Sequence, residues 1–309
     1  MKNFKSLLLY LSLFATSSTV ISQQLLENSL YSFNVLNYNP AYAGSRDALS
    51  LSLVHRVQWT GIDGAPQSTF LTVHSPTTNH NLSWGLSAIR EELGVTNVTG
   101  GLLNLSYRIQ LNEKRDYLAF GIRGTMNMFD INISKLTALD PDFVLNNDIN
   151  NELKFNVGAG IYYYGFNYFV GFSALNLLEN SILDDAGDNV PGFKTSRHYY
   201  FTAGYVFELS STTKLRPYAK LKVAPGAPLG PEVHCDLLFF DKLWLGGMYR
   251  YEDVAGLKAI YHVNDQFRIG YGYDYVFNEL THYTGGSHEV LLTYDFDFSD
   301  RKFKSPRYF

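Results

Sequence analysis

From Asp47 onward the chain repeatedly places apolar residues at every second position, for roughly eight to twelve residues at a time, and then breaks at Gly, Pro, Asn or Asp. Leu103, Leu105, Tyr107 and Ile109 alternate with Asn104, Ser106, Arg108 and Gln110. Leu118, Phe120, Ile122, Gly124 and Met126 alternate in the same way with Ala119, Gly121, Arg123, Thr125 and Asn127. Successive side chains of a strand point to opposite faces, so such a stretch makes a strand with one apolar and one mixed face. Rows beginning at Phe155, Tyr199 and Phe267 repeat the pattern. The breaks delimit about fourteen strands, near 48–56, 68–75, 82–90, 101–110, 116–128, 153–163, 167–175, 198–207, 215–223, 232–239, 243–249, 255–262, 267–275 and 289–298.

What those faces meet decides the fold class. All but one of the apolar rows are free of Asp, Glu, Lys and Arg; in 68–75 neither face declares itself. A charge at the bilayer midplane of a barrel costs about 2–4 kcal/mol, so uncharged rows suit a lipid-facing surface. The opposite rows are polar or carry both signs, as in Arg216, Tyr218, Lys220 and Lys222, or Asp295 and Asp297, and suit a wet lumen. Aromatic residues make up 16% of the chain and charged residues only 17%, against about 25% charged in soluble domains. A soluble β-sandwich can show the same alternation, so connection lengths are needed. With strand 48–56 running outward, 57–67, 91–100, 129–152, 176–197 and 276–288 form a long outer set and 111–115, 164–166, 240–242 and 263–266 a short opposite one, with 224–231 and 250–254 as short outer exceptions. Short periplasmic turns and long outer loops are the asymmetry of bacterial outer-membrane barrels. The expected fold is an all-β, up-and-down antiparallel transmembrane barrel of about fourteen strands, with both termini in the periplasm.

The amino-terminal residues read as a leader. Lys2 and Lys5 precede an apolar stretch, Leu7 to Phe14, and small and polar residues lead to Val20-Ile21-Ser22, a secretory signal with cleavage after Ser22. That stretch is shorter than the roughly 20 apolar residues a spanning helix needs. The domain plan is a signal peptide 1–22, a periplasmic or lumenal segment 23–47, the barrel 48–298 and a tail 299–309. Cys235 is the single cysteine, so stability cannot come from intramolecular disulfides. A net charge of −4 leaves no basic footprint for nucleic acid.

Several segments have a texture that alternation does not explain. They are Asn39-Pro40-Ala41-Tyr42-Ala43-Gly44, the run Arg56-Val57-Gln58-Trp59-Thr60-Gly61-Ile62-Asp63-Gly64-Ala65-Pro66-Gln67, and His74-Ser75-Pro76. With Tyr249-Arg250-Tyr251-Glu252-Asp253, Gly270 to Tyr275, Gly285 to Glu289 and the ending Ser305 to Phe309, they resemble the PorP/SprF family. The resemblance implies an outer-membrane component of the Bacteroidetes type IX secretion system, linked to delivery or surface attachment of large adhesins, including those used in gliding. It also implies two kinds of partner: a secreted cargo recognised through its C-terminal domain, and periplasmic components of the secretion and motility machinery.

The candidate partner-binding or gating residues follow from these segments. Asn39, Pro40, Tyr42 and Gly44 make either a structured lead-in to the barrel or a segment packed in the lumen or its periplasmic mouth; wide barrels are commonly plugged. Gln58, Trp59, Gly61, Asp63, Gly64 and Pro66 lie on the first outer connection, where Gly and Pro fix the loop and Trp is either a partner anchor or an interface aromatic. Arg56 is placed to pair in the lumen with Glu252 or Asp253, at the same rim as Arg250. Ser287-His288 and His74-Ser75 are no nucleophile–base pairs, because adjacent strand residues face opposite ways. No Cys/His cluster has metal spacing, and neither an enzyme nor a cofactor is expected. Gly158-Ala159-Gly160 and Gly270-Tyr271-Gly272 lie within strands and mark close approach of backbone or ligand rather than phosphate loops. The leading functional expectation is cargo binding for export or surface attachment; the alternative is a passive diffusion channel.

Overall fold

A computed structural model describes residues 27–113, 115–132, 134, 148–181, 195–277, 279–296 and 308. Its strands are β1 (Leu49–Val57), β2 (Gln67–Pro76), β3 (Leu82–Leu93), β4 (Thr96–Gln110), β5 (Tyr117–Ile131), β6 (Ile149–Tyr164), β7 (Tyr168–Leu175), β8 (His198–Tyr205), β9 (Phe207–Glu208), β10 (Thr213–Val223), β11 (Gly230–Phe239), β12 (Leu243–Arg250), β13 (Val254–His262), β14 (Phe267–Val276) and β15 (Ser287–Phe296). Each pairs antiparallel with its chain neighbour, β10 pairs with β8 and β11, and β15 pairs with β1. The result is a closed barrel of fourteen strands with one short extra strand. That extra strand has a local cause: Pro217 lies opposite Tyr205 and offers no backbone N–H, so the ladder breaks there. It resumes in the same register at Phe207, while the Val206 amide donates instead to Asn167 O at 2.7 Å.

The alternation is inside out relative to a soluble protein. Leu257 is 71% exposed and Ile122 62%, whereas Arg216, Glu289 and Asp236 are buried. A sandwich would bury the apolar rows; here they face the surroundings from a single closed layer, as lipid contact requires. Strand β2, undecided in sequence, turns Phe70, Thr72 and His74 inward and leaves Leu71 outside. Aromatic rings gather towards the rim where β8 ends and β15 ends, with Tyr205–Phe207 and Tyr294–Phe296 centroids each 4.6 Å apart.

One connection departs from expectation. Residues 91–100 are not a long loop: β3 and β4 run on to a turn at 94–95, with Leu93 opposite Thr96. Ladder pairing to β5 carries β4 through Gly100 and Gly101 and back to Thr96, opposite Ile131. The remaining asymmetry is partial: 58–66, 132–148, 176–197 and 277–286 are long on one rim, where 224–229 and 251–253 are short, and 77–81, 165–167, 240–242 and 263–266 are short on the other. Asp297, expected in the lumen, and most of the tail 299–309 lie outside the described residues.

The lumen is occupied. Residues 27–46 fold inside it as two 3₁₀ turns, Tyr31–Phe33 and Pro40–Tyr42, flanking one α-turn, Val35–Tyr38. Tyr31, Val35, Leu36, Ala41 and Tyr42 are buried against the inner wall in a cluster that includes Tyr162, Tyr200 and Tyr218, and Leu30 lies in a second cluster with Val54, Leu238 and Leu291. Inward glycines make room for this plug. A Cβ on Gly121 would lie 2.2 Å from the Ala41 nitrogen, one on Gly160 2.2 Å from Asn39 Oδ1, and one on Gly85 2.7 Å from a Leu36 methyl. Gly160 is thus a point of close backbone approach, as its place in a strand suggested; Gly158 and Gly270 instead face side chains of neighbouring strands, Leu175 and Ile260. A pocket between the plug and β1, β2, β14 and β15 measures about 20 Å³, room for one water.

Because backbone atoms of Pro40 and Ala41 lie where the new side chain must go, Gly121→Leu is expected to destabilise the barrel by about 1–3 kcal/mol or more. Gly101→Leu, where a Cβ meets nothing within 4 Å, serves as the neutral control. Urea unfolding in detergent micelles, followed by tryptophan fluorescence, measures both.

Candidate functional site

The plug is held by charged and polar side chains that alternation turns into the lumen. Arg56 on β1 reaches Asp274 on β14 at 2.6 Å and Glu289 on β15 at 3.1 Å. Those carboxylates in turn grip the chain. Glu289 accepts from the Ser29 amide at 2.8 Å and the Leu30 amide at 3.2 Å, and Asp274 accepts from Ser29 Oγ at 2.5 Å. Neighbouring strands bring these three residues together: Arg56 lies opposite Glu289, and Gly272 opposite Glu289 links β14 to the same layer.

Around the wall the same arrangement recurs. Arg123 donates from Nε to Asn104 Oδ1 at 2.7 Å, from Nη1 to Asn37 O at 2.7 Å and from Nη2 to Leu36 O. Its cation therefore sits on carbonyls of the α-turn, where a positive group is favoured. Asn39 Nδ2 donates to Ile161 O at 3.0 Å, Ser173 Oγ to Tyr38 O at 2.5 Å and Ser106 Oγ to Ala41 O at 3.1 Å. Near the end of the segment the Gly44 amide donates to His74 Nδ1 at 3.1 Å, and Arg108 reaches Asp47 at 2.6 Å.

On the β10–β13 side a ladder of ion pairs lines the wall. Lys220 pairs with Glu27 of the plug at 2.5 Å and with Glu232 at 3.2 Å; Arg250 pairs with Glu232 at 2.6 Å and with Asp253 at 3.1 Å. Further along, Asp236 holds Arg216 at 2.6 Å and Lys258 at 3.0 Å. Arg216 also donates to Ser32 Oγ at 3.0 Å and to the carbonyl of Tyr308, whose ring stands beside Trp244 and Phe166.

Of the sequence-derived candidates, Asn39, Pro40, Tyr42 and Gly44 are buried in the lumen, and Gly44 has φ +72°. Arg56 is in the lumen but not paired with Glu252 or Asp253. Its partners come from β14 and β15, because barrel closure sets β1 beside β15, and Asp253 is taken by Arg250. Glu252 sits in the turn between β12 and β13. Trp59 packs on Met248, Val254 and Val276, which face inward, so it anchors the loop in the barrel mouth and does not lie in a membrane girdle. Its amide donates to Ser287 Oγ at 3.2 Å.

The rest of that loop is fixed by backbone bonds. The Gln58 amide donates to Pro66 O at 2.9 Å, the Thr60 amide to Gly286 O at 2.8 Å and the Gly94 amide to Gly64 O at 2.9 Å. Gly61 and Gly64 have φ +98° and +73°, and Asp63 is exposed. Thr60, Ile62, Asp63, Ala65, Glu92 and Gly94 border an open hollow of about 350 Å³ at this rim.

Ser287 faces the lumen while the His288 ring lies against the Tyr271 hydroxyl at 2.5 Å; His74 points inward and Ser75 the other way. Sequence reasoning missed Ser29, Asp274, Glu289, Arg123 and Glu232. The inward row of each strand was a usable signal for the wall residues, whereas no local pattern marks Ser29.

Arg56→Met would leave Asp274 and Glu289 buried without their counter-charge, and the expected loss is about 3–5 kcal/mol. Arg90→Ala removes a pair whose side chains are 69% and 41% exposed, and its effect should stay below about 1 kcal/mol. The urea midpoints of the two variants check the contrast.

Among solved structures, the TodX deltaS2S3 mutant monoaromatic hydrocarbon channel is similar at a TM-score of 0.50 and 10% identity, over 85% of this chain and 94% of that one. The CymD monoaromatic hydrocarbon channel also gives 0.50, at 9% identity, over 88% and 94%. The Acinetobacter baumannii outer membrane protein Omp33 gives 0.44 at 11% identity, over 81% and 98%. At such identities the first two likenesses support the outer-membrane barrel fold alone. No curated protein matches the chain. The model of the type IX secretion system membrane protein PorP/SprF family matches residues 20–294. Family and fold are of non-enzymatic types, and the chain is an outer-membrane β-barrel belonging to the PorP/SprF family of the type IX secretion system.

Proposed function

We propose that this barrel is a docking component and not a conduit: its long-loop rim binds a secreted adhesin-type protein through that protein's C-terminal domain, for export or surface attachment, in support of gliding. The observation that carries this reading is the filled lumen. Residues 27–46 are tied to β1, β4, β5, β7, β10, β14 and β15 by side-chain bonds, so activity must reside at the rims. The long-loop rim offers a rigid surface in which Trp59 is anchored, Gly61 and Gly64 set the loop, and Arg250, Glu252 and Asp253 form the adjoining turn. The short turns then face the periplasm, where the machinery's periplasmic components meet the start of β1 and the end of β15.

A passive diffusion channel is the competing function. The plug argues against it, since residues 27–46 are packed against the inward side chains of the wall, where a solute would have to pass. Deleting the gene should abolish surface display of one or a few large adhesins while other cargo continues to appear; normal display of every cargo would overturn the proposal. Purified barrel in planar bilayers should give no steady solute-permeable current, and a persistent open conductance would instead establish the channel.

A further inference from the structure

At the short-turn mouth of the lumen the plug meets Tyr308, which follows the last strand in sequence. Tyr308 sits beside the turns 165–167 and 240–242 and the start of β10. Its carbonyl accepts from Arg216 Nη1. Its ring stands edge-on to Phe166, with centroids 5.9 Å apart at 89°, and to Trp244, 6.5 Å apart at 72°. Lys214 Nζ lies 4.9 Å from the ring centroid, and Asp241 pairs with that ammonium. The ring packs against both hydrophobic clusters of the lumen, the one that holds Tyr218 and the one that holds Leu238 and Trp244. The floor beneath it is the plug: Arg216 Nη2 donates to Ser32 Oγ at 3.0 Å, and the Phe33 ring centroid is 5.5 Å from the guanidinium carbon.

These groups form a receptor whose parts each select something. Arg216 is 1% exposed, and a guanidinium has only donors to satisfy. Asp236 and Ser32 meet Nη2, while Nη1 finds its acceptor, among the described residues, in the Tyr308 carbonyl. Without a carbonyl in that place, a buried cationic N–H would face the mouth unmet, which is costly. The carbonyl contact reads main chain and accepts any residue. The ring contacts are selective: two edge-on aromatic neighbours and a cation near the ring favour an aromatic side chain, and tyrosine brings a polar tip that can stay wet. None of these contacts requires the occupant to belong to the same chain. The hold is also light. Residues 27–46 are bonded to seven strands, whereas Tyr308 is held through one carbonyl and one ring at the rim and is only part-buried.

We propose that the short-turn mouth is a binding site for a tyrosine-bearing polypeptide segment, filled in cis by Tyr308 and open to the same kind of segment in trans when Tyr308 leaves. The site lies at the opposite rim from the docking face proposed above, and it stands whichever rim is external.

The probe is a fluorescein-labelled hexapeptide with the sequence of residues 304–309, titrated with the whole barrel in detergent micelles and followed by fluorescence anisotropy. The Tyr308→Ala barrel should bind it about tenfold more tightly than the wild-type barrel, whose site is filled, and replacing the peptide's tyrosine by alanine should weaken binding by a similar factor. In the Tyr308→Ala barrel, Phe166→Ala and Lys214→Ala should each weaken binding severalfold. Asp265→Ala, on an exposed turn of the same rim, should leave it unchanged. Absence of binding by the folded Tyr308→Ala barrel, equal binding by the wild-type barrel, or indifference to the peptide's tyrosine would each overturn the proposal. Heat-shifted mobility on gels reports folding. Should the alanine variant not fold, the wild-type barrel at high peptide concentration decides: preference for the tyrosine peptide over the alanine one supports the site, and equal or absent uptake overturns it.

Discussion

The interaction on which the rest depends is the capture of the plug by Arg56, Asp274 and Glu289. Lipid contact forces charged residues of the strands inward, where closing the barrel removes them from water and makes any unpaired charge costly. The wall answers partly from within, through pairs such as Arg216–Asp236 and Lys258–Asp236. It answers also through the segment 27–46, whose amides and carbonyls satisfy Glu289 and Arg123 and whose Glu27 meets Lys220. Plug and wall are therefore one folding unit: neither has a complete set of polar partners without the other.

Much of the barrel was legible because its cause is local. An uncharged row alternating with a polar one leaves a strand only two orientations, and lipid selects between them. Thus the rows of β4, β5 and β14 face as their sequences suggest, and the expected strand positions agree with the observed ones to within a few residues. The misreadings have non-local causes. Residues 91–100 were expected to be a loop, but the partner strand β5 extends the ladder of β4 through them to Thr96. Arg56 was assigned a partner on its own rim because loop order can be read from the chain; its actual partners depend on β1 closing against β15.

The candidate site divides along the same line. The Asn39 to Gly44 segment stood out by composition, and Asn39, Pro40 and Gly44 do carry the close contacts. Its place in the lumen could not be read, because no periodicity links a non-repeating segment to its receptor. The receptor is written elsewhere, in Gly85, Gly121 and Gly160, which on their own look like ordinary weak points in strands. Trp59 shows a further limit: a rim tryptophan reads equally as girdle or anchor until the inward-facing Met248, Val254 and Val276 are seen beneath it.

The seam between the first and last strands sharpens one point about how such a chain is built. Ser29 touches residues of β14 and β15, and Arg56 of β1 reaches the same carboxylates, so the plug straddles the line along which the barrel closes. The closure of the sheet is therefore a three-body contact: the carboxylates of the last two strands meet the first strand's guanidinium and the plug's amides at one point, so the seam is held by more than its backbone ladder.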